Sequence, residues 1–134
     1  MIAASGSRAI LDAYEVQGEP MKDCIFCKIG AHEIQAMVVY EDSDILAFRD
    51  INPQAPVHVL IIPKKHFSSV NDFTANETEL LGRLTLAAKN IARQERLSDR
   101  GYRLVMNCGE DGGQSVAHVH MHLVGGRAMT WPPG

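Results

Sequence analysis

A chain of 134 residues, 46% of them hydrophobic, can close one core and is too short for two domains of ordinary size. Its net charge is −3 and no basic block exceeds Lys64-Lys65, which argues against a protein that follows long nucleic acid by its phosphates. A mononucleotide stays open, because backbone amides and a few side chains suffice to hold one phosphate. No apolar run approaches the ~20 residues a bilayer requires. Residues 1–20 lack the basic start and apolar stretch of a secretion signal. Three cysteines, two of them in one C-x-x-C, do not make a disulfide framework. The expected setting is cytoplasmic, with no membrane and no nucleic acid polymer as partner.

Residues 1–20 read as a flexible extension, in which Ile10, Leu11, Tyr14 and Val16 could form a short amphipathic helix. Residues 21–134 read as one domain. Asp23-Cys24-Ile25-Phe26-Cys27-Lys28-Ile29 has helical apolar spacing, and Asp23 is the expected cap. Cys24 and Cys27 are either small buried apolar groups on that turn or half of a zinc site. Residues 37–41 and 44–49 predict two strands around a turn at Asp42-Ser43. A turn-rich loop follows, Asp50-Ile51-Asn52-Pro53-Gln54-Ala55-Pro56. Residues 57–62 form a buried-looking strand that contains His58 and is closed by Pro63. His66 is expected on a polar surface edge, and neither it nor His32 is given a role.

The long helix is predicted over 77–97, where Leu80, Leu84, Ala88 and Ile91 recur on one face. Thr74-x-x-Glu77 can form a capping box before it. Arg83, Arg93 and Arg96 are its expected solvated side. A strand over 102–106 ends at Asn107. Gly109 to Ser115 then reads Gly-Glu-Asp-Gly-Gly-Gln-Ser, a loop able to turn backbone N–H groups toward phosphate oxygens. The Gly-x4-Gly-Lys-Ser/Thr spacing of a P-loop is absent.

His118-Val119-His120-Met121-His122 alternates with period two. On a strand the three imidazoles would share one face, about 6 to 7 Å apart, with Val119, Met121 and Leu123 toward the core. Three buried histidines without partners are costly, so they are expected to hold a metal or to work on a substrate. Five strands grouped together with one long helix and a short N-terminal helix predict an α+β fold with an antiparallel five-stranded sheet.

Asn107, Asp111-Gly-Gly-Gln-Ser115, the His118–His122 run and the closing Trp131-Pro132-Pro133-Gly134 together resemble the histidine triad (HIT) superfamily. The segment from Asp50 to Pro56 and the Trp-Pro-Pro-Gly end resemble its Hint branch of purine nucleoside phosphoramidases. The resemblance covers about residues 23–134. It implies a HIT-like fold, a homodimer and a purine nucleotide substrate. It further implies hydrolysis of nucleoside 5′-phosphoramidates and aminoacyl-adenylate-like compounds through a nucleotidyl-histidine. The matching residues are His120 as nucleophile, His122 on phosphate oxygens, Ser115 toward the leaving atom, and His118 and His58 as orienting or proton-relaying groups. Asn107, Gly113 and Gln114 match further phosphate and loop contacts. Ile25, Phe26, Ile29 and Ile34 match the walls around the base. Asp50 matches the acceptor of the ribose hydroxyls, with Phe48 and Ile51 beside it. No metal is required for the chemistry. In some members a Cys pair at this place joins two histidines on a structural zinc, which would here be Cys24, Cys27, His58 and His118. A dinucleoside polyphosphate hydrolase and a nucleotide-binding regulatory module are the alternatives.

Overall fold

A computed structural model describes residues 18–134. The expected helix among residues 10–16, and most of the extension expected over 1–20, lie outside the described residues. Gly18 does not hang free of the domain: its N–H donates to the His66 carbonyl at 2.8 Å.

The elements run α1 (Ile25–Gly30), β1 (Val38–Glu41), β2 (Ile45–Arg49), β3 (Val57–Pro63), α2 (Thr78–Gln94), β4 (Tyr102–Val105) and β5 (Met121–Gly125). The strands form one antiparallel sheet in the order β1-β2-β3-β5-β4. This is the expected α+β architecture. β2 and β3 read as continuous apolar runs because both faces of the sheet are covered. Ile45, Ala47, Val59 and Ile61 point to the α2 side, where they meet Leu84, Ala88 and Ile91. Leu46, Phe48, Leu60 and Ile62 point the other way and pack on Phe26 and Ile29 of α1.

The same parity sorts the histidine strand. Val119, Met121 and Leu123 join the α2-side core. His122 lies opposite Leu60, and His58 opposite Val124, so both belong to the α1 side. Regular strand begins only at Met121, so His118 and His120 sit on the irregular segment leading into it. α2 is held by its buried face, Leu84, Ala87, Ala88, Ile91 and Ala92. The Thr74–Glu77 capping box forms, but on a short 3-10 turn, Ala75–Glu77, that runs into α2. Arg83 is not merely solvated: it reaches Asp44 at 2.6 Å and Asp42 at 3.1 Å, tying α2 to the β1–β2 turn.

The cap of α1 is also a correction. Cys24, not Asp23, is the N-cap, its Sγ accepting the Cys27 N–H at 3.3 Å. The thiol stands where a shorter oxygen side chain usually does.

Candidate functional site

On the α1 side of the sheet lies a slot of about 310 Å³. Ile25, Phe26, Ile29 and Ile34 make one apolar wall, and Phe48 and Leu60 rise from the sheet. Asp50 and Ile51 stand at one end; Ser115, His120 and His122 line it as well. Ile25, Ile34 and Ile51 are 47%, 38% and 97% exposed. Apolar side chains left open around a concavity mark a surface awaiting a ligand.

Ten of the residues singled out from sequence thus meet in one slot. Seven do not line it: Cys24, Cys27, His58, Asn107, Gly113, Gln114 and His118. The Gln114 side chain instead braces its own loop, donating to the carbonyls of Ser68 (2.7 Å) and Val116 (3.0 Å) and accepting the Gly109 N–H at 3.0 Å. Gly112 is fixed by closeness, since a Cβ there would stand 2.5 Å from the Cys108 carbonyl oxygen. Gly113 takes φ +81°, a left-handed conformation that suits glycine. Leu60 and Val116 line the slot without having been singled out, and only the fold brings them there.

Hydrogen bonds to backbone groups settle which imidazole nitrogen carries each proton. The His120 Nδ1 lies 2.7 Å from the His118 carbonyl oxygen, which can only accept. His120 therefore holds its proton on Nδ1 and leaves Nε2 bare. The Gln54 N–H donates to His58 Nδ1 at 3.0 Å, so the His58 proton sits on Nε2. That Nε2 donates to His122 Nδ1 at 2.9 Å, which leaves His122 with its proton on Nε2. Burial pushes His58 and His120 below the ordinary histidine value. Burial, reinforced by His120 and His58, pushes His122 down to about 4. The nearby Asp50 charge opposes all three shifts without cancelling them. Near pH 7 the site holds a neutral bare nitrogen on His120 and a neutral N–H on His122.

His118 turns away from the slot. With Cys24, Cys27 and His66 it forms a group whose donor atoms all lie within 4.8 Å of one another. The His118 Nδ1 is 3.3 Å from Cys24 Sγ, 3.6 Å from Cys27 Sγ and 3.2 Å from His66 Nδ1. The His118 Nε2–H donates to the Pro63 carbonyl at 2.8 Å, so Nδ1 is the bare nitrogen facing the two sulfurs. Burial pushes the Cys24 thiol up, but the adjacent His118 and His66 imidazoles and the Cys27 N–H outweigh it and hold it at about 5. Two soft sulfur donors and two imidazoles converging in a buried space have the chemistry of a closed zinc site.

The fourth member is His66, not His58, and His66 is not on the surface: it is 2% exposed. His58 starts β3, whereas the cysteines of α1 lie over its end, where Gly30 sits against Lys64. Asp50, His58 and His122 also come within 4.8 Å of one another. They do not suit a metal, because the His58 nitrogen that faces the others carries the proton.

A family model described as HIT domain matches residues 31–129. The chain belongs to the HIT domain family. Among curated HIT relatives, an uncharacterized HIT-like protein of Synechococcus elongatus is 54% identical over 113 residues, 84% of this chain and 98% of the relative. A 14 kDa zinc-binding protein of Brassica juncea is 54% identical over 114 residues, 84% of this chain and 100% of that one. Among solved structures, a HIT family hydrolase from Legionella pneumophila is 58% identical with a TM-score of 0.83, covering 84% of this chain and 100% of that chain. A histidine triad protein from Clostridium difficile is 42% identical with a TM-score of 0.80, covering 82% and 96%.

Proposed function

We propose that this HIT protein hydrolyses purine nucleoside 5′-phosphoramidates and aminoacyl-adenylate-like mixed anhydrides, as the Hint branch does. The observation that carries the reading is one apolar slot with a carboxylate at one end and a bare, neutral imidazole nitrogen, His120 Nε2, opening into it. The base lies between Ile25, Phe26, Ile29 and Ile34, and the two ribose hydroxyls donate to Asp50. His120 Nε2 attacks the α-phosphorus, a P–N bond to His120 forms, and the bond to the leaving amine breaks. The Ser115 hydroxyl donates a hydrogen bond to the departing nitrogen, which takes its proton from water and leaves as the amine. The His122 Nε2–H binds a non-bridging phosphate oxygen, where negative charge accumulates. Water then attacks the same phosphorus, breaks the P–N bond to His120 and releases the nucleoside monophosphate.

Zinc held by Cys24, Cys27, His66 and His118 would supply a closed four-ligand cross-link between α1 and the sheet. Its liganding leaves His120 and His122 free, because His118 is the one triad member turned away from the slot. The Brassica juncea relative, a 14 kDa zinc-binding protein, supports this metal. The reading also includes a homodimer. β4 is an edge strand, and Trp131 on the tail is 80% exposed beneath the Arg103 guanidinium, 5.9 Å from its ring centre. An open edge and a bare tryptophan both call for a second surface. Among the described residues no helix is long and apolar enough to cross a membrane, in keeping with a cytoplasmic enzyme.

Rapid-quench mass analysis with an adenosine phosphoramidate tests the reading. It should trap an AMP adduct on His120. Tight AMP binding without turnover would instead favour a regulatory nucleotide-binding module.

A further inference from the structure

Resting on that nucleotide reading, we infer that Asp50 is a positioning residue that couples recognition of the ribose to His122 through His58. Asp50 is the one acidic group lining the slot among the described residues. It is locked to β3 by its own N–H, which donates to the His58 carbonyl at 3.0 Å. One carboxylate oxygen, Oδ1, accepts the Asn52 N–H at 2.9 Å. The other, Oδ2, stands 3.5 Å from His58 Nε2. The proton on that nitrogen is hydrogen-bonded to His122 Nδ1 at 2.9 Å, while the Asp50 carboxylate acts on it through space as a nearby negative charge.

A carboxylate offers about four lone-pair sites. The Asn52 N–H engages one, and the side chain is 21% exposed, so room remains for two ribose hydroxyls. Hydroxyls that donate to Asp50 draw its charge toward themselves and weaken its pull on the His58 proton. The His58 proton is then drawn to His122 against less competition from that charge. His122, already carrying its proton on Nε2, is held more firmly with that N–H toward the phosphate when the ribose is in place. The substrate's sugar thus completes the group that stabilises charge at its own phosphorus, and part of its binding energy appears in kcat.

The test joins kinetics to imidazole ¹⁵N spectra. In nucleotide-free protein, Asp50→Asn should move the His58 Nε2 and His122 Nδ1 signals, and Asp50→Glu should bring them back part of the way. A carboxylate that merely binds ribose would leave both signals where they are. In the wild type, a 2′,3′-dideoxyadenosine phosphoramidate should lose about tenfold in kcat, the worth of one hydrogen bond, besides any rise in KM. Equal kcat for the two sugars, or unchanged imidazole signals in Asp50→Asn that still binds AMP, would overturn the coupling. Wild-type protein that fails to bind AMP at all would sink the nucleotide reading and the ribose half of this inference together. The spectra of Asp50→Asn would still decide the Asp50–His58–His122 half.

Discussion

Two groups of histidines stand back to back on one stretch of chain, and their surroundings give them opposite character. Around His118 the bare Nδ1 meets two sulfurs and His66, while its Nε2–H is held by the Pro63 carbonyl. Around His122 each imidazole passes a proton to the next, from His58 Nε2 to His122 Nδ1, and the chain ends in an N–H that is free for a ligand. Converging lone pairs suit a cation; a directed file of N–H groups suits an anion such as phosphate. The difference arises from three backbone groups: the Pro63 and His118 carbonyls and the Gln54 N–H. Residue type alone does not separate the roles.

The sharpest way to break this division is at His120. His120→Ala should lose about 10⁴-fold or more in kcat/KM while AMP affinity, measured by calorimetry, changes only a few-fold. Retained turnover would end the nucleophile assignment. Next comes Cys24→Ser/Cys27→Ser. It should lose bound zinc and on the order of 4 kcal/mol of stability, as loss of a structural metal does. Activity per folded molecule, assayed well below the melting temperature, should stay within about tenfold. A variant that folds normally but loses all turnover would place the cysteines in the chemistry instead.

Acid should act on the second group with a definite sign. An unfolded histidine takes its proton near 6.5, whereas folded His122 takes it only at about 4. Between those values the unfolded state binds more protons, so stability is full above about pH 6.5 and falls as pH drops toward 4. Denaturant titrations should show this fall in the wild type and a shallower one in His122→Asn. Equal slopes would mean that His122 is not held neutral. The smallest effect is expected at the tail. Deleting residues 129–134 should change the ratio of kcat/KM for an acyl-adenylate and an alkyl phosphoramidate several-fold, with stability altered by less than about 1 kcal/mol. An unchanged ratio would detach Trp131 from substrate choice.

Period-two alternation made much of the site readable in advance. It correctly sent Val119, Met121 and Leu123 to the core, and the resemblance named the wall and the pair His120 and His122. His66 was not readable in this way. From His58 to Pro63 the strand climbs about 17 Å, and only the upper end lies under the cysteines of α1. Choosing His58 for the zinc set required knowing which end of β3 the helix covers, and sequence spacing carries no such sign. Only the fold shows that the chain after Pro63 brings His66 beside Cys27, 3.3 Å from its Sγ. Arg83 was missed for a related reason, because its partners Asp42 and Asp44 sit on a turn about forty residues away in the chain. The proton positions were beyond sequence altogether, since backbone atoms set them.

One measurement reaches both groups at once. A crystal of protein purified without chelator, soaked with AMP, should be measured on both sides of the zinc absorption edge. The account predicts one zinc peak per chain between Cys24, Cys27, His66 and His118, with AMP phosphate against His120 and His122 and its ribose on Asp50. A metal peak between Asp50, His58 and His122, or AMP bound away from the slot, would contradict it.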